Sequence, residues 1–367
     1  MPRDDAAGDA DDRADGVATG GGGRRGGDDA GGGATLGTEL GGTAARDDGG
    51  SLQPAASESS AIDAIDRRIY PCPPMPLDLS TVGAVTETSS FAYDAKTLSL
   101  YALGIGAKRD ELDYLYEGRG PKVYPTFAVV PTLGVVFSQL SRTGAELAMV
   151  VHGAQSVTIR AALPAAATLR TTGSVKGIYD LKRFAQIVLT TTTTLEDGTP
   201  AFDTEWSIIV RGAGGFGGSP PPKREDAVSI PKDRAPDFRF EEATTPEQAL
   251  LYRLSGDFNP LHADPEVATA VGFPQGPILH GLCTYGFAAR AFAKSAHGGD
   301  ASRIKRMDSQ FRKPVWPGDT LVTECFRNEG RVVFQMLVKE RNEQVATGAF
   351  WEALRRRNRL ASGRRGV

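Results

Sequence analysis

The chain has 367 residues, with 42 Lys and Arg against 45 Asp and Glu, four histidines and three cysteines, for a formal charge of −3. That balance leaves no face-sized basic excess, which argues against binding to nucleic acid or an anionic membrane surface. Cys72, Cys283 and Cys325 are far apart. They suit a reducing compartment and leave a structural zinc site little to build on, and no apolar run of about 18 residues is present to span a bilayer.

Residues 1–65 are rich in Gly, Asp, Ala and Arg and poor in large aliphatic side chains. Such a segment cannot bury enough apolar area to offset its chain entropy and reads as a disordered low-complexity extension. It lacks the apolar stretch of a signal peptide and is too acidic for a transit peptide. The basic tail 357–367 reads as frayed and does not end in a Ser-Lys-Leu type address.

Between these ends the pattern is strand-rich with a few helices. Residues 91–107, FAYDAKTLSLYALGIGA, predict a helix ending near Gly104 and Gly106. Strands are predicted around 127–137, 156–160, 168–176, 185–194 and 203–211. The β-branched run Ile187–Thr194 disfavours helix, and Glu196-Asp197-Gly198 supplies the following hairpin turn. A Gly/Pro-rich stretch covers 212–235, with the linker itself at 216–235. Within it, Gly212–Gly217 match G-x-G-x-x-G, but Ser219-Pro220-Pro221-Pro222 follow where a dinucleotide site needs a helix N-terminus. No nicotinamide site is expected there. Farther on, GLCTYGFAARAFAKSAH (281–297) predicts an apolar helix. Strands are predicted near 303–313, 319–327, 331–340 and 344–352, with a turn at Asn328-Glu329-Gly330.

The most informative stretch is LSGDFNPLHADPEVATAVGFPQGPILHGLCTY, residues 254–285. Asp257 and His262 lie five positions apart in a loop closed by helix signals on both sides. Upstream, Thr245-Pro246-Glu247-Gln248 has the form of a capping box, and Gly256 can stop its helix. Downstream, Asp264 with Pro265 starts a second helix, which Gly272 ends. A carboxylate and an imidazole that share one water need such a pinned loop. At His280-Gly281 a small residue opens the apolar helix and leaves a backbone N–H free to face an oxyanion.

This segment resembles the hydratase 2 motif of the MaoC-like enoyl-CoA hydratases, and the likeness runs from about residue 66 to 356. It includes YALGIGAKRDELDYLYEG, Val151-His152-Gly153, Tyr179–Lys182 and SIIVRGAGGFGG in the first half. The resemblance implies an α+β double hot-dog fold, in which each unit is a long helix wrapped by a curved antiparallel sheet. Residues 66–215 would form a non-catalytic N-terminal unit that supplies the acyl-chain cleft, and 236–356 the catalytic unit. It also implies reversible hydration of trans-2-enoyl-CoA to (R)-3-hydroxyacyl-CoA in fatty-acid β-oxidation, with no metal or cofactor, and association of two chains. Thioester hydrolysis by a hot-dog thioesterase and non-catalytic acyl-CoA binding are the alternatives. Eukaryotic relatives imply a peroxisome, with the cytoplasm as the alternative location.

Hydration needs a water over C3, a proton for C2 and stabilisation of the thioester oxygen. Asp257 and His262 match the family's dyad, and the Gly281 N–H matches the oxyanion donor. Asn259 matches a position that holds the water, with an Asx turn as its alternative role. Substrate contacts carry over to His152, Gly153, Lys182, Phe311 and Gly281, and to the loop Asp257, Phe258, Asn259, Pro260, Leu261 and His262. Lys182 suits a CoA phosphate, and Phe311 suits adenine or the cleft wall. Ala154 and Ser156 depart from the family's Glu and aromatic residue, and FPQGPI carries one extra residue. His280 reads as a structural helix-start residue and His297 as a surface residue.

Overall fold

A computed structural model describes residues 76–223 and 227–353. The extension 1–65 and the tail 357–367 lie outside the described residues. Two segments of similar plan follow each other along the chain. The first contains β1 (Ser89–Tyr93), α1 (Ala95–Gly104), α2 (Leu133–Arg142), β2 (Val150–Ile159), β3 (Ala167–Asp180), β4 (Phe184–Leu195) and β5 (Pro200–Arg211). The second contains β6 (Phe238–Ala243), α3 (Gln248–Tyr252), α4 (Pro265–Ala270), α5 (Gly281–His297), β7 (Ile304–Phe311), β8 (Thr320–Asn328), β9 (Arg331–Val338) and β10 (Glu343–Glu352).

All ten strands share one antiparallel sheet in the order β1-β3-β4-β5-β2-β7-β10-β9-β8-β6. Exchanging β1 for β6, β2 for β7 and so on reverses the order onto itself, so the halves are related by a pseudo-twofold axis at the β2–β7 ladder. That ladder runs from Ala154↔Gln310 to Thr158↔Arg306. In each half the first strand lies at the outer edge and the second at the seam, with helices between them in sequence. Each helical segment therefore crosses its sheet and is covered by it.

In the second half this segment is α5, whose residues Leu282–Ala293 are all buried. Phe292 stacks on Phe350 of β10 (4.3 Å), and Phe350 on Phe334 of β9 (4.7 Å). Burying each such ring contributes about 2–3 kcal/mol, so a helix this largely apolar is stable only inside this wrap.

The first half differs from the sequence prediction in two ways. Residues 127–137 are not a strand: Pro125–Val129 form a 3₁₀ turn and α2 follows. The run FAVVPTLGVV is short, apolar and partly β-branched, so periodicity cannot separate a buried strand from a buried helix. Residues 91–107 are a strand end followed by α1, which Asp94 caps through the Thr97 N–H (2.9 Å). The wrapped segment of the first half is thus 125–142, whereas α1 packs on α3 of the other half. The edge strand β6 was not predicted; its six residues alternate between partly buried and exposed. Strand β2 begins six residues before the predicted 156–160, at Val150, and so includes His152 and Gly153; β3–β5, β7–β10 and α5 stand close to their predicted positions.

The halves interlock along α5. A Cβ at Gly286 would overlap Ile105, so only glycine permits this approach. The terminal carbonyls of α1 are satisfied from the second half: Gln248 Nε2 donates to Gly104 O (2.7 Å) and Leu103 O (3.2 Å). Gln248 Oε1 meanwhile accepts the Thr245 N–H (3.4 Å), which is the glutamine half of the expected capping box, while the Gln248 N–H donates to the Thr245 carbonyl and α3 begins at Gln248.

Candidate active site

Tight local bonding fixes the loop after α3. Gly256 takes the left-handed conformation (φ +116°) that ends the helical turn. Asp257 Oδ1 accepts the Asn259 N–H (3.2 Å), and Asn259 Oδ1 accepts the Leu261 N–H (3.0 Å). Pro260–His262 then form one 3₁₀ turn. Asp264 caps α4 through the Glu266 N–H (2.8 Å), and Gly272 ends that helix at φ +99°. Asn259 thus makes the Asx interaction expected as its alternative role. Phe258 is exposed, and its carbonyl accepts a bond from Arg253 Nη2 (3.0 Å).

This backbone brings Asp257, His262 and His280 together, with one polar atom of each within 4.8 Å of the others. His262 Nδ1 lies 2.8 Å from Ile278 O. A carbonyl only accepts, so Nδ1 carries the proton and Nε2 of the neutral ring keeps its lone pair. Burial pushes the His262 imidazole below its usual value, with the Asp257 carboxylate opposing this and Arg253 reinforcing it. His280 is fully buried, as is α5 from Leu282 onward, while Gly281 between them is partly exposed. It was expected to be only a helix-start residue, but its ring stacks on His262 at 3.7 Å and 27°.

One carboxylate and two imidazoles could hold a metal ion, and the stacking bears on that possibility. A metal lies in the plane of each imidazole it binds, about 2.1 Å from nitrogen. Planes 3.7 Å apart and inclined by only 27° converge well beyond that distance. The two rings therefore do not fit one ion as they stand.

Gly281 opens α5, and its missing side chain faces Phe311 of β7: a Cβ there would lie 3.5 Å from that ring. Phe311 meets His152 of β2 edge-to-face (5.0 Å), and His152 stacks flat on Trp206 of β5 (5.0 Å, 8°). Burial pushes the His152 imidazole down to about 4, and its Nε2 bonds Ala154 O (3.0 Å). The ring is thus a neutral wall element. Gly153 is the extra residue of a β-bulge, where a Cβ would press on Ile209 (3.0 Å). Ser156, at a departure from the family pattern, bonds Asp308 across the seam (2.6 Å).

Lys182 lies elsewhere on the sheet, in the β3–β4 turn with φ +69°. Three strand spacings separate β4 from β7, about 14 Å at ~4.8 Å each. The glycine-rich stretch closes on this turn. Asp180 accepts the N–H groups of Lys182 (2.7 Å), Gly215 (2.9 Å) and Gly217 (2.8 Å). Gly215 and Gly217 have positive φ. The G-x-G-x-x-G segment is therefore an anion-binding nest filled by the chain's own carboxylate.

Sequence reasoning missed one further cluster. Arg290 of α5 is fully buried between Glu111 of the first half and Glu242 of the second. Its Nη2 donates to Glu111 Oε1 (2.7 Å) and Glu242 Oε1 (2.9 Å), and Tyr124 and Lys294 also bond Glu111. Burial alone would raise the Glu111 carboxyl, but the guanidinium overrides it and holds it down at about 2. An arginine within the buried run FAARAFA was the available signal, since an interior cation needs carboxylates. His297 also departs from expectation. Its side chain is 3% exposed, with Nε2 2.8 Å from Glu352 Oε1.

The paired helix-and-sheet units with one acid–base loop define a double hot-dog protein of hydratase type. Two family models match in tandem: the MFE-2 hydratase 2 N-terminal domain over residues 91–212 and the MaoC like domain over 228–349. The chain is 40% identical over 292 residues to the peroxisomal enoyl-CoA hydratase 2 of Arabidopsis thaliana, covering 74% of this chain and 93% of the relative. It is 41% identical over 271 residues to the 3-hydroxyacyl-thioester dehydratase Y of Mycobacterium tuberculosis, covering 71% and 91%. A crystal structure of a MaoC-like dehydratase from Phytophthora capsici superposes with a TM-score of 0.68 at 34% identity, covering 76% of this chain and 98% of the other. The chain belongs to the MaoC-like hydratase 2 family.

Proposed function

We propose that the protein reversibly hydrates trans-2-enoyl-CoA to (R)-3-hydroxyacyl-CoA in fatty-acid β-oxidation. One observation carries the reading: a carboxylate and a neutral imidazole share one pinned loop, within 4.8 Å, beside the helix that starts at Gly281. A water between Asp257 and His262 Nε2 loses a proton to the pair as its oxygen bonds C3, and the pair returns a proton to C2. The water thus adds as OH and H, and the dyad ends as it began. The Gly281 N–H at the α5 terminus receives the negative charge that develops on the thioester oxygen, so the chain's own groups suffice without a metal or nucleotide. The Asn259 amide nitrogen, with the carbonyl oxygen of that side chain already used in the turn, is available to hold the water.

Phe311 and His152 wall the cleft, and the Lys182 ammonium receives a CoA phosphate at the far end of the sheet. The R hand comes from the family resemblance. The peroxisomal name of the Arabidopsis relative supports that compartment. Among the described residues no helix is long and apolar enough to cross a membrane. Pairing of two chains belongs to the same reading.

Following loss of enone absorbance with crotonyl-CoA and longer enoyl-CoAs tests the activity. The product should be oxidised by an (R)-specific 3-hydroxyacyl-CoA dehydrogenase and ignored by an (S)-specific one. Release of free CoA thiol without loss of the enone would replace hydration by thioester hydrolysis. Product accepted only by the (S)-specific enzyme would overturn the assigned hand.

A further inference from the structure

His280 touches Asp257, His262 and the start of α5 without having a chemical step of its own. Its Nε2 lies 3.1 Å from the main-chain oxygen of Asp257. That oxygen can only accept, so Nε2 carries the proton and the ring is fixed in that tautomer. One face stacks on His262 at 3.7 Å, and Tyr252 of α3 leans against the ring at 4.9 Å. The backbone of His280 is the N-cap of α5, immediately before the Gly281 N–H. Its Nδ1 is buried and has no hydrogen-bond partner among the described residues.

We propose that His280 is a positioning residue, a neutral brace that locks the Asp257 main chain, the plane of His262 and the start of α5 into one unit. This rests on the hydratase reading above. If the proton on Nε2 is lost as a donor, the carbonyl before Phe258 loses its anchor and the carboxylate moves with it. If the ring face is lost, His262 is free to tilt about its one remaining bond, to Ile278. The charged and titratable groups facing His280 are Asp257, His262 and Arg253, with Tyr252 and Cys283 on the helices packed around it. Burial first, and the neighbouring His262 second, hold the His280 imidazole well below its usual value, so the stack has no cation within it at neutral pH.

Two variants separate the two contacts. Gln in His280→Gln can present an amide N–H near the Nε2 position but has no ring to stack. Phe in His280→Phe keeps the ring and has no donor. The brace predicts that His280→Phe lowers kcat by about tenfold to a hundredfold with KM within about threefold, as expected when reacting groups are misplaced by a fraction of an ångström to an ångström. It predicts that His280→Gln keeps more activity but raises the midpoint of the acid limb of kcat, because His262 becomes easier to protonate without its apolar cover. NMR titration of the His262 ring in the unliganded protein should show the same upward shift in His280→Gln. That measurement needs no turnover, so it stands whether or not the wild-type protein hydrates enoyl-CoA.

Wild-type kcat in His280→Phe, or an unmoved His262 titration in folded His280→Gln, overturns the brace. Should His280→Phe not fold, the His280→Gln titration and pH profile decide alone. Absence of hydration by the wild-type protein, with the His262 shift present, would remove the hydratase reading and leave the brace standing.

Discussion

Replacing Glu111 with glutamine removes one charge from the buried Arg290 cluster while keeping nearly the same volume. The carboxylate that is lost accepts from Arg290 Nη2 (2.7 Å), Tyr124 (2.9 Å) and the Lys108 N–H (3.0 Å). Burial works against the charge, yet the Glu111 carboxyl is held at about 2 against its ordinary 4.5. A shift of that size corresponds to about 3 kcal/mol of folded-state stabilisation at neutral pH, in the range for breaking one side of a buried ion pair. For a domain this large it corresponds to a melting temperature lower by roughly 6–12 °C. A depressed carboxyl contributes above its unfolded pKa and loses the contribution as pH falls through its folded value. The gap between wild type and Glu111→Gln should therefore be full at pH 7 and shrink from about pH 4.5 toward 2. Urea unfolding at pH 7 and pH 4, followed by tryptophan fluorescence, measures it. A loss below about 1 kcal/mol, or a gap that widens toward acid, would refute the stabilisation of the Glu111 carboxylate by the buried Arg290.

Asp257→Asn and His262→Ala should each lower kcat by about two to four orders of magnitude, and the double variant should be little worse because one water serves both. Additive losses in steady-state assays would show that the groups act separately. Gly281→Ala should fold normally, since its methyl would meet Phe311 at an ordinary 3.5 Å, but it should raise KM and lower kcat because the methyl occupies the thioester cleft. Unchanged kinetics would place the substrate elsewhere. His262 and His152 both have lowered values in the folded state, so the unfolded chain takes up protons first as pH falls below about 6.5. Stability should decline below that pH, and the kcat profile should keep its His262 limb below 6.5; a limb above 6.5 would contradict the buried neutral ring.

Sequence reasoning recovered most of the sheet where local chemistry and tertiary structure agree. The Thr190–Thr194 run and the Asp197-Gly198 turn produce β4 and β5 because both signals are local. Helix α5 was legible because it is apolar and bracketed, with Gly298 closing it at φ +60°. The Asp257–His262 loop was legible because its caps lie within the same thirty-odd residues of sequence. Residues 127–137 were misread because burial is a property of the finished fold: only the wrap formed by β2–β5 makes that run a helical interior. The stack of His280 on His262 and the closure of the glycine nest on Asp180 depend on segments brought together from a distance. Their spacing alone could not show either contact.

The β2–β7 seam has a consequence for how the active centre is allotted. Two identical subunits around an axis must place every residue twice, and a change that helps one side is imposed on the other. Here Asp257 follows Gly256 after α3, while in the other half Ala107 follows Gly106 after α1, and both glycines take positive φ. The same corner of the architecture thus holds a carboxylate once and a buried methyl once. Because both corners belong to one polypeptide, dilution does not separate the copy that carries the carboxylate from the one that lacks it. Each can change without forcing the same change on its counterpart.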